Sequence, residues 1–215
     1  MRRVSEFARL KGISPRRVYE LVRNGTLPVQ VLSDGTILLE ESSMLWHPRA
    51  TRPLSPRMAW AVLSAVDGHE TPDLRSSERA RVREHVQEIF SSENPAQLLA
   101  EKVSARSPIH RYRASSDDVV DLRRDARIRV SRVGSPGSGM TAGDELEAYI
   151  SADDLAAVIR EYLLDEDRSG NVRLRTGAPD RLGAAAVAAD LADWGRTRET
   201  REANRILSRL VKSSR

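Results

Sequence analysis

Two adjacent arginines, Arg16 and Arg17, stand in the stretch LKGISPRRVYELVRNGTLP, residues 10–28, with Tyr19 and Arg23 just beyond them. The stretch reads as a short helix with both arginines in its first turn. The helix macrodipole disfavours cations there, by roughly 0.3–1 kcal/mol. Guanidinium groups at the start of an exposed helix can instead meet phosphates, or fork onto O6 and N7 of guanine. A guanine contact of that kind discriminates by about 1–3 kcal/mol, the larger of the two effects. The chemistry these residues point to is DNA binding.

Other constellations are weaker. In DEDRSGN, residues 165–171, Asp165, Asp167, Ser169 and Gly170 occupy places of a calcium loop, but Thr176 stands where a bidentate Glu is required. A polar turn leading into a strand is the better reading. GSPGSGMTAGDE is glycine-rich yet lacks the Gly-Lys-Ser/Thr ending of a P-loop, and reads as a loop. His47, His69, His85 and His110 have no metal-ligand spacing. Asp117-Asp118 and Asp153-Asp154 each stand at a helix start, where capping accounts for them. No serine lies in a nucleophile elbow. These residues demand no catalysis, metal or cofactor, and the expectation is a protein that is not an enzyme.

Composition narrows the classes further. The chain has 215 residues, room for one large domain or two small ones. Aromatic residues make up 4%, so the core must rest on Leu, Val, Ile and Ala. The absence of cysteine excludes disulfides, thiolate zinc sites and a cysteine nucleophile. No apolar run approaches a membrane span, and MRRVSEFARLKG has no apolar core of a signal peptide. The expected compartment is the cytoplasm. Residues 1–60 hold ten basic and five acidic side chains, while the remainder holds 25 against 26. A basic head on a near-neutral body fits a nucleic-acid-binding module. Only Lys11, Lys102 and Lys212 are lysines, so arginine is the general cation of this chain and a single arginine does not by itself signal bidentate pairing.

The elements that must position the arginines follow from spacing. Ser5 is expected to cap a first helix with Phe7, Ala8 and Leu10 on its apolar side. Gly12 makes a tight turn. Ser14 caps a second helix with Pro15 at its first position and Val18, Leu21 and Val22 inward; Asn24-Gly25 ends it. Val29 and Val31, then Ile37 and Leu39, alternate on either side of the turn Ser33–Thr36. A helical turn around Ser42–Trp46 closes the unit. The whole predicts a winged helix-turn-helix over residues 1–50, with Ser14, Arg16, Arg17, Tyr19 and Arg23 at the DNA and the wing turn Asp34–Thr36 touching the backbone.

HPRATRPLSP, residues 47–56, reads as a linker. From residue 54 to 215 the pattern predicts a helical segment followed by a mixed α/β part, α+β and helix-rich overall. Helices are expected after Ser55-Pro56, from Ser76 or Ser77 through Phe90, and from Asn94-Pro95. IHRYRA, ARIRVSRVG, DELEAYIS and NVRLRT read as strands, and SSDDVVDLRRD and ADDLAAVIREYLLD as capped helices. RLGAAAVAADLADWG reads as partly strand, and the end of the chain as a helix with Ala203, Ile206, Leu207 and Leu210 on one side.

ISPRRVYELVRNGTLPV resembles the winged helix-turn-helix of excisionase and MerR-type proteins. LSPRMAW, HRYRASSDDVVDLRRDARIRVS, LEAYISADDLAAVIREYLLD, NVRLRT and AADLADWGRTRETREANRIL resemble the actinobacterial branch of AbiEi-type antitoxins. The chain departs from that pattern at VSRVGSPGSGM, where a tighter Ser-Gly turn is expected. The resemblance implies an antitoxin and autorepressor that binds its own promoter as double-stranded DNA, as a monomer or homodimer. It also implies a nucleotidyltransferase-like toxin as partner. Two further readings stand beside it: a stand-alone transcription factor whose C-terminal domain dimerises or senses a ligand, and an enzyme with an appended DNA-binding head.

Overall fold

The computed structural model describes residues 1–23, 25–46, 52–71, 73–131, 144–179 and 181–213. The architecture is α+β and helix-rich, with two separate sheets. The chain divides into two compact units, one of Met1–Ala50 with Gly195–Thr197 and one of Thr51–Trp194 with Arg198–Arg215.

The first unit opens on a strand that spacing did not predict, β1 (Arg2–Arg3). Two helices follow, α1 (Val4–Lys11) and α2 (Pro15–Arg23). Gly12 between them takes φ 64°, a left-handed turn that glycine reaches without Cβ strain. The N–H of Ile13 then closes back on the carbonyl of Ala8 at 3.0 Å. A hairpin of β2 (Val29–Val31) and β3 (Ile37–Leu39) comes next, then a 3-10 turn over Glu41–Leu45. The sheet runs β1-β3-β2, all antiparallel, with Arg2 opposite Leu39 and Arg3 opposite Leu38. Val4, Phe7, Ala8, Val18, Leu21, Leu27 and Leu39 form its buried core.

Two local expectations fail here. Ser5 does not cap α1 but lies inside it, because pairing of β1 with β3 carries the chain into the helix at Val4. Leu10 is exposed; Val4 takes the expected inward place at the other end of the helix. Asn24 and residues 47–51 of the proline-rich linker lie outside the described residues.

The second unit begins with a helical layer: α3 (Pro56–Val66), α4 (Ser76–Ser91) and α5 (Pro95–Lys102). A sheet segment follows with β4 (Ile109–Arg113), α6 (Ser116–Leu122), β5 (Arg129–Val130), β6 (Leu146–Tyr149), α7 (Ala152–Glu161), β7 (Asp165–Glu166) and β8 (Val172–Arg175). The chain returns to the helical layer with α8 (Ala184–Asp193) and α9 (Thr197–Ser213). The sheet order is β5-β6-β8-β4-β7; β6 and β8 run parallel, and the other neighbours antiparallel.

Both faces of that sheet are covered. Leu146, Ala148, Ile150, Val172 and Leu174 pack on Val119 and Leu122 of α6 and Val158 of α7. The alternate residues Glu147, Tyr149, Arg173 and Arg175 therefore project to the opposite face. In the helical layer Val62, Leu63 and Val66 of α3 pack with Ala185, Ala188 and Ala189 of α8 and Ala203, Ile206 and Leu207 of α9. Two side chains from distant elements cap helices in this layer. Asp67 Oδ1 accepts from the N–H of Ala185 at 2.8 Å, and Asn204 Oδ1 accepts from that of Ala96 at 3.2 Å.

RLGAAAVAADLADWG is thus a helix, not a partial strand: its alanines let α8 lie close against its neighbours. Asp165-Glu166, expected as part of a turn, pairs with β4 as a two-residue edge strand. The strand expected over ARIRVSRVG is described only as β5, and the glycine-rich stretch 132–143 lies outside the described residues.

Candidate nucleic-acid interface

α2 begins as its sequence dictates. Ser14 Oγ accepts from the backbone N–H of Arg17 at 3.2 Å, which satisfies one donor of the first turn. Ser14 is therefore engaged as a cap. Pro15 follows at the first position, and Val18 and Leu21 anchor one side of the helix in the core. That phase sends Arg16, Arg17, Tyr19 and Arg23 outward, and all four are exposed. Arg16 has 91% of its side chain accessible and Arg17 54%.

One acid sits among them. Glu20 Oε2 accepts from Arg17 Nη1 at 3.0 Å, and its Oε1 lies 3.6 Å from Arg16 Nε. Arg17 first, and then Arg16, hold the Glu20 carboxyl below the usual range. Arg16, Tyr19, Glu20 and Arg23 together line a shallow hollow of about 470 Å3 on this face.

The hairpin turn is built by its own side chain. Asp34 Oδ1 accepts from the N–H of Thr36 at 2.8 Å, Gly35 takes φ 79°, and Leu32 N–H closes on Thr36 O at 2.9 Å. The Thr36 N–H holds the Asp34 carboxyl down, so the acid is ionised and occupied with the turn. Thr36 is half-buried and Asp34 exposed. Arg2 and Arg3 of β1, which sequence reasoning passed over, add two exposed guanidinium groups to the same small sheet. Arg2 pairs with Glu6.

A second concentration of charge, in the other unit, was also missed. Arg175 and Glu147 meet on the inner face of the sheet, Nε to Oε1 at 2.9 Å, both side chains fully buried. Asp190 of α8 accepts from Arg106, Tyr149 and Ser131. Asp193 accepts from Arg106 Nη2 at 3.1 Å and from Arg175 Nη2 at 2.8 Å. Arg173 stacks 3.6 Å from the ring centroid of Trp194, whose indole N–H donates to Glu147. Three cations thus face three carboxylates. Burial raises Asp190 above the usual range, whereas the arginines around Glu147 outweigh its burial and lower it. Buried charges are tolerated when their signs balance in this way, although Arg173 Nε and Arg175 Nη1 are buried without a hydrogen-bond partner. The group joins the sheet to the helical layer.

The remaining sequence candidates find local partners. Asp167 of the calcium-like stretch accepts from Ser169 and from Arg113. Among the described residues no group of three or more His, Cys, Asp or Glu could hold a metal ion. Asp118 and Asp154 serve at helix starts, beside the caps Ser115 and Ser151. A hollow of about 680 Å3 in the second unit is lined by Trp60, Leu63, Asp67, Leu74 and Leu182 among others. No described helix is long and apolar enough to cross a membrane. No protein-family model, no curated protein and no solved structure matches the chain.

Proposed function

We propose that the first unit is a winged helix-turn-helix that binds double-stranded DNA, and that the chain is an antitoxin that represses its own operon. α2 is then the helix that enters the major groove, and the β2–β3 hairpin is the wing. The observation that carries this reading is the phase of α2: Val18 and Leu21 are buried while Arg16, Arg17, Tyr19 and Arg23 are exposed on one short capped helix. A DNA-reading helix needs that arrangement, with side chains free at its N-terminal half and an anchored back. Arg16 and Arg17 contact guanine or phosphate, and Tyr19 and Arg23 the backbone. The wing turn at Asp34–Thr36 contributes through Thr36 and the turn backbone, since the Asp34 carboxylate repels phosphate. Arg2 and Arg3 extend the basic surface.

The antitoxin part rests on the sequence resemblance: a nucleotidyltransferase-like toxin is the partner, the compartment is the cytoplasm, and the chain acts as a monomer or homodimer without catalysing a reaction. The stand-alone regulator keeps one observation in its favour, the hollow of about 680 Å3 in the second unit, which is of a size for a small ligand.

The test is Arg16→Ala with Arg17→Ala in the full chain, titrated against the DNA upstream of its own reading frame at two salt concentrations. Affinity should fall and the salt slope should flatten. Unchanged affinity overturns the assignment of α2. Co-expression with a neighbouring nucleotidyltransferase-like protein under a foreign promoter tests the second half. Restored growth supports the antitoxin, and continued toxicity favours the stand-alone regulator.

A further inference from the structure

A carboxylate in the middle of a DNA-facing surface weakens attraction to every phosphate it approaches. Glu20 occupies such a place. It lines the exposed hollow of α2 beside Arg16, Tyr19 and Arg23, and it engages both neighbouring arginines. The way it holds them matters. Arg16 approaches Glu20 through Nε at 3.6 Å, an ion pair without a hydrogen bond, on a side chain that is 91% accessible. Arg17 uses a single terminal nitrogen, Nη1, and keeps Nε and Nη2 for other acceptors. Arg17 is thus held on one side by a hydrogen bond and Arg16 only by proximity of charge, and each still has two nitrogens that Glu20 does not take.

We infer that Glu20 is the specificity-determining residue of this surface: it makes Arg16 and Arg17 poor ligands for phosphate and leaves them good ligands for the guanine edge. The inference rests on the reading of α2 as the DNA-facing helix. A phosphate that approaches either arginine must also approach the Glu20 carboxylate, and like charges repel. A guanine edge carries no net charge, so its O6 and N7 can take the two presented donors without that penalty. An arginine without an acid beside it gains the same from phosphates of any sequence, which raises affinity and carries no information. An i,i+3 and i,i+4 pairing that merely supported the helix would also stabilise α2, but it would not change one DNA sequence relative to another.

Glu20→Gln in the full chain tests this, because it keeps the shape and removes the charge. Binding is measured to the duplex from upstream of the reading frame and to a shuffled duplex of equal length and composition, at two salt concentrations. The shuffled duplex should bind about three- to tenfold tighter, with a salt slope steeper by roughly one charge. The promoter duplex should gain less, so the ratio of the two affinities falls by about threefold or more. Glu20→Ala should act in the same direction, and a thermal melt of each variant checks that the first unit remains folded. Equal gains on both duplexes, or no gain on either, overturn the inference while leaving α2 as the DNA-facing helix. A wild-type chain with no preference for the promoter duplex overturns the reading of α2 and the inference with it.

Discussion

Arg175 donates to Glu147 across neighbouring parallel strands at 2.9 Å, and neither side chain is open to solvent. Arg175 also reaches Asp193 and lies 3.3 Å from Asp190, so it is the cation that three acids share. Arg175→Met should cost about 3–5 kcal/mol, because it leaves buried carboxylates outnumbering their cations. Arg175→Met with Glu147→Leu restores the balance of charge and should recover part of the loss. Chemical denaturation of the single and double variants measures both. A double variant weaker by the sum of the two single losses would show that balance is not what the group requires.

Acid should unfold the protein by way of its paired carboxylates. Arg127 holds Asp125 at about 2, helped by Tyr162. Ser169, and then Arg113, hold Asp167 at about 2. In the unfolded chain both titrate at about 3.9. Their contribution is complete above that value and is lost as pH falls through 4 towards 2, since the unfolded state takes up protons first. The share of stability these two groups supply should therefore hold level from pH 7 to about 5 and be lost below 4, as a fall in the denaturation midpoint. In the Asp125→Asn variant the drop should be shallower.

Val18→Asp should unfold the first unit. Val18 is wholly buried between α1 and α2, with Phe7, Ala8 and Leu21 around it, and offers a carboxylate no partner. Hydrogen exchange should show faster loss of the amides of Ala8, Leu21 and Leu39, with those of Ala148 and Leu174 unchanged. Protected amides in the first unit would mean that α2 is phased differently on its core.

Gly170→Ala should be more damaging than its surface turn implies. A Cβ there would overlap the backbone carbonyl of Tyr112 on β4, and backbone cannot swing aside as a side chain can. Overpacking of this kind costs typically about 1–3 kcal/mol. A melt compared with Gly177→Ala makes the distinction, since Gly177 has open space around its Cβ position and only its φ of 75° to oppose the change.

Much of the first unit was legible because each signal there was local. Ser14-Pro15 starts a helix, Gly12 turns the chain, and Asp34-Gly35 folds a hairpin within a few residues. β1 was not legible, since Arg2-Arg3 has no apolar alternation and becomes a strand only by pairing with Leu38 and Leu39. α8 was misread because a helix buried among others loses its polar face, and with it the period that marks a helix. The charge group was hidden because an alternating strand such as VRLRT does not show, taken alone, that a second layer covers its polar face. The one available signal was a match between two strands and a helix: LEAY places Glu147 in register with Arg173, and DLADW carries acids at positions 190 and 193 on an otherwise apolar helix.

The position of β8 sets an order of assembly on the ribosome. It is the middle strand of its sheet and the last of the five to be synthesised. β5 can pair with β6, and β4 with β7, but these two ribbons have nothing between them until Val172–Arg175 emerges. Asp67 must wait still longer, for Ala185 lies 118 positions further along the chain. The buried core of the first unit lies within residues 4–39 and can close early. A nascent chain stalled before Val172 therefore carries a closed N-terminal core and a body with open strand edges and a Glu147 without Arg173 and Arg175, the species that proteases and aggregation select against.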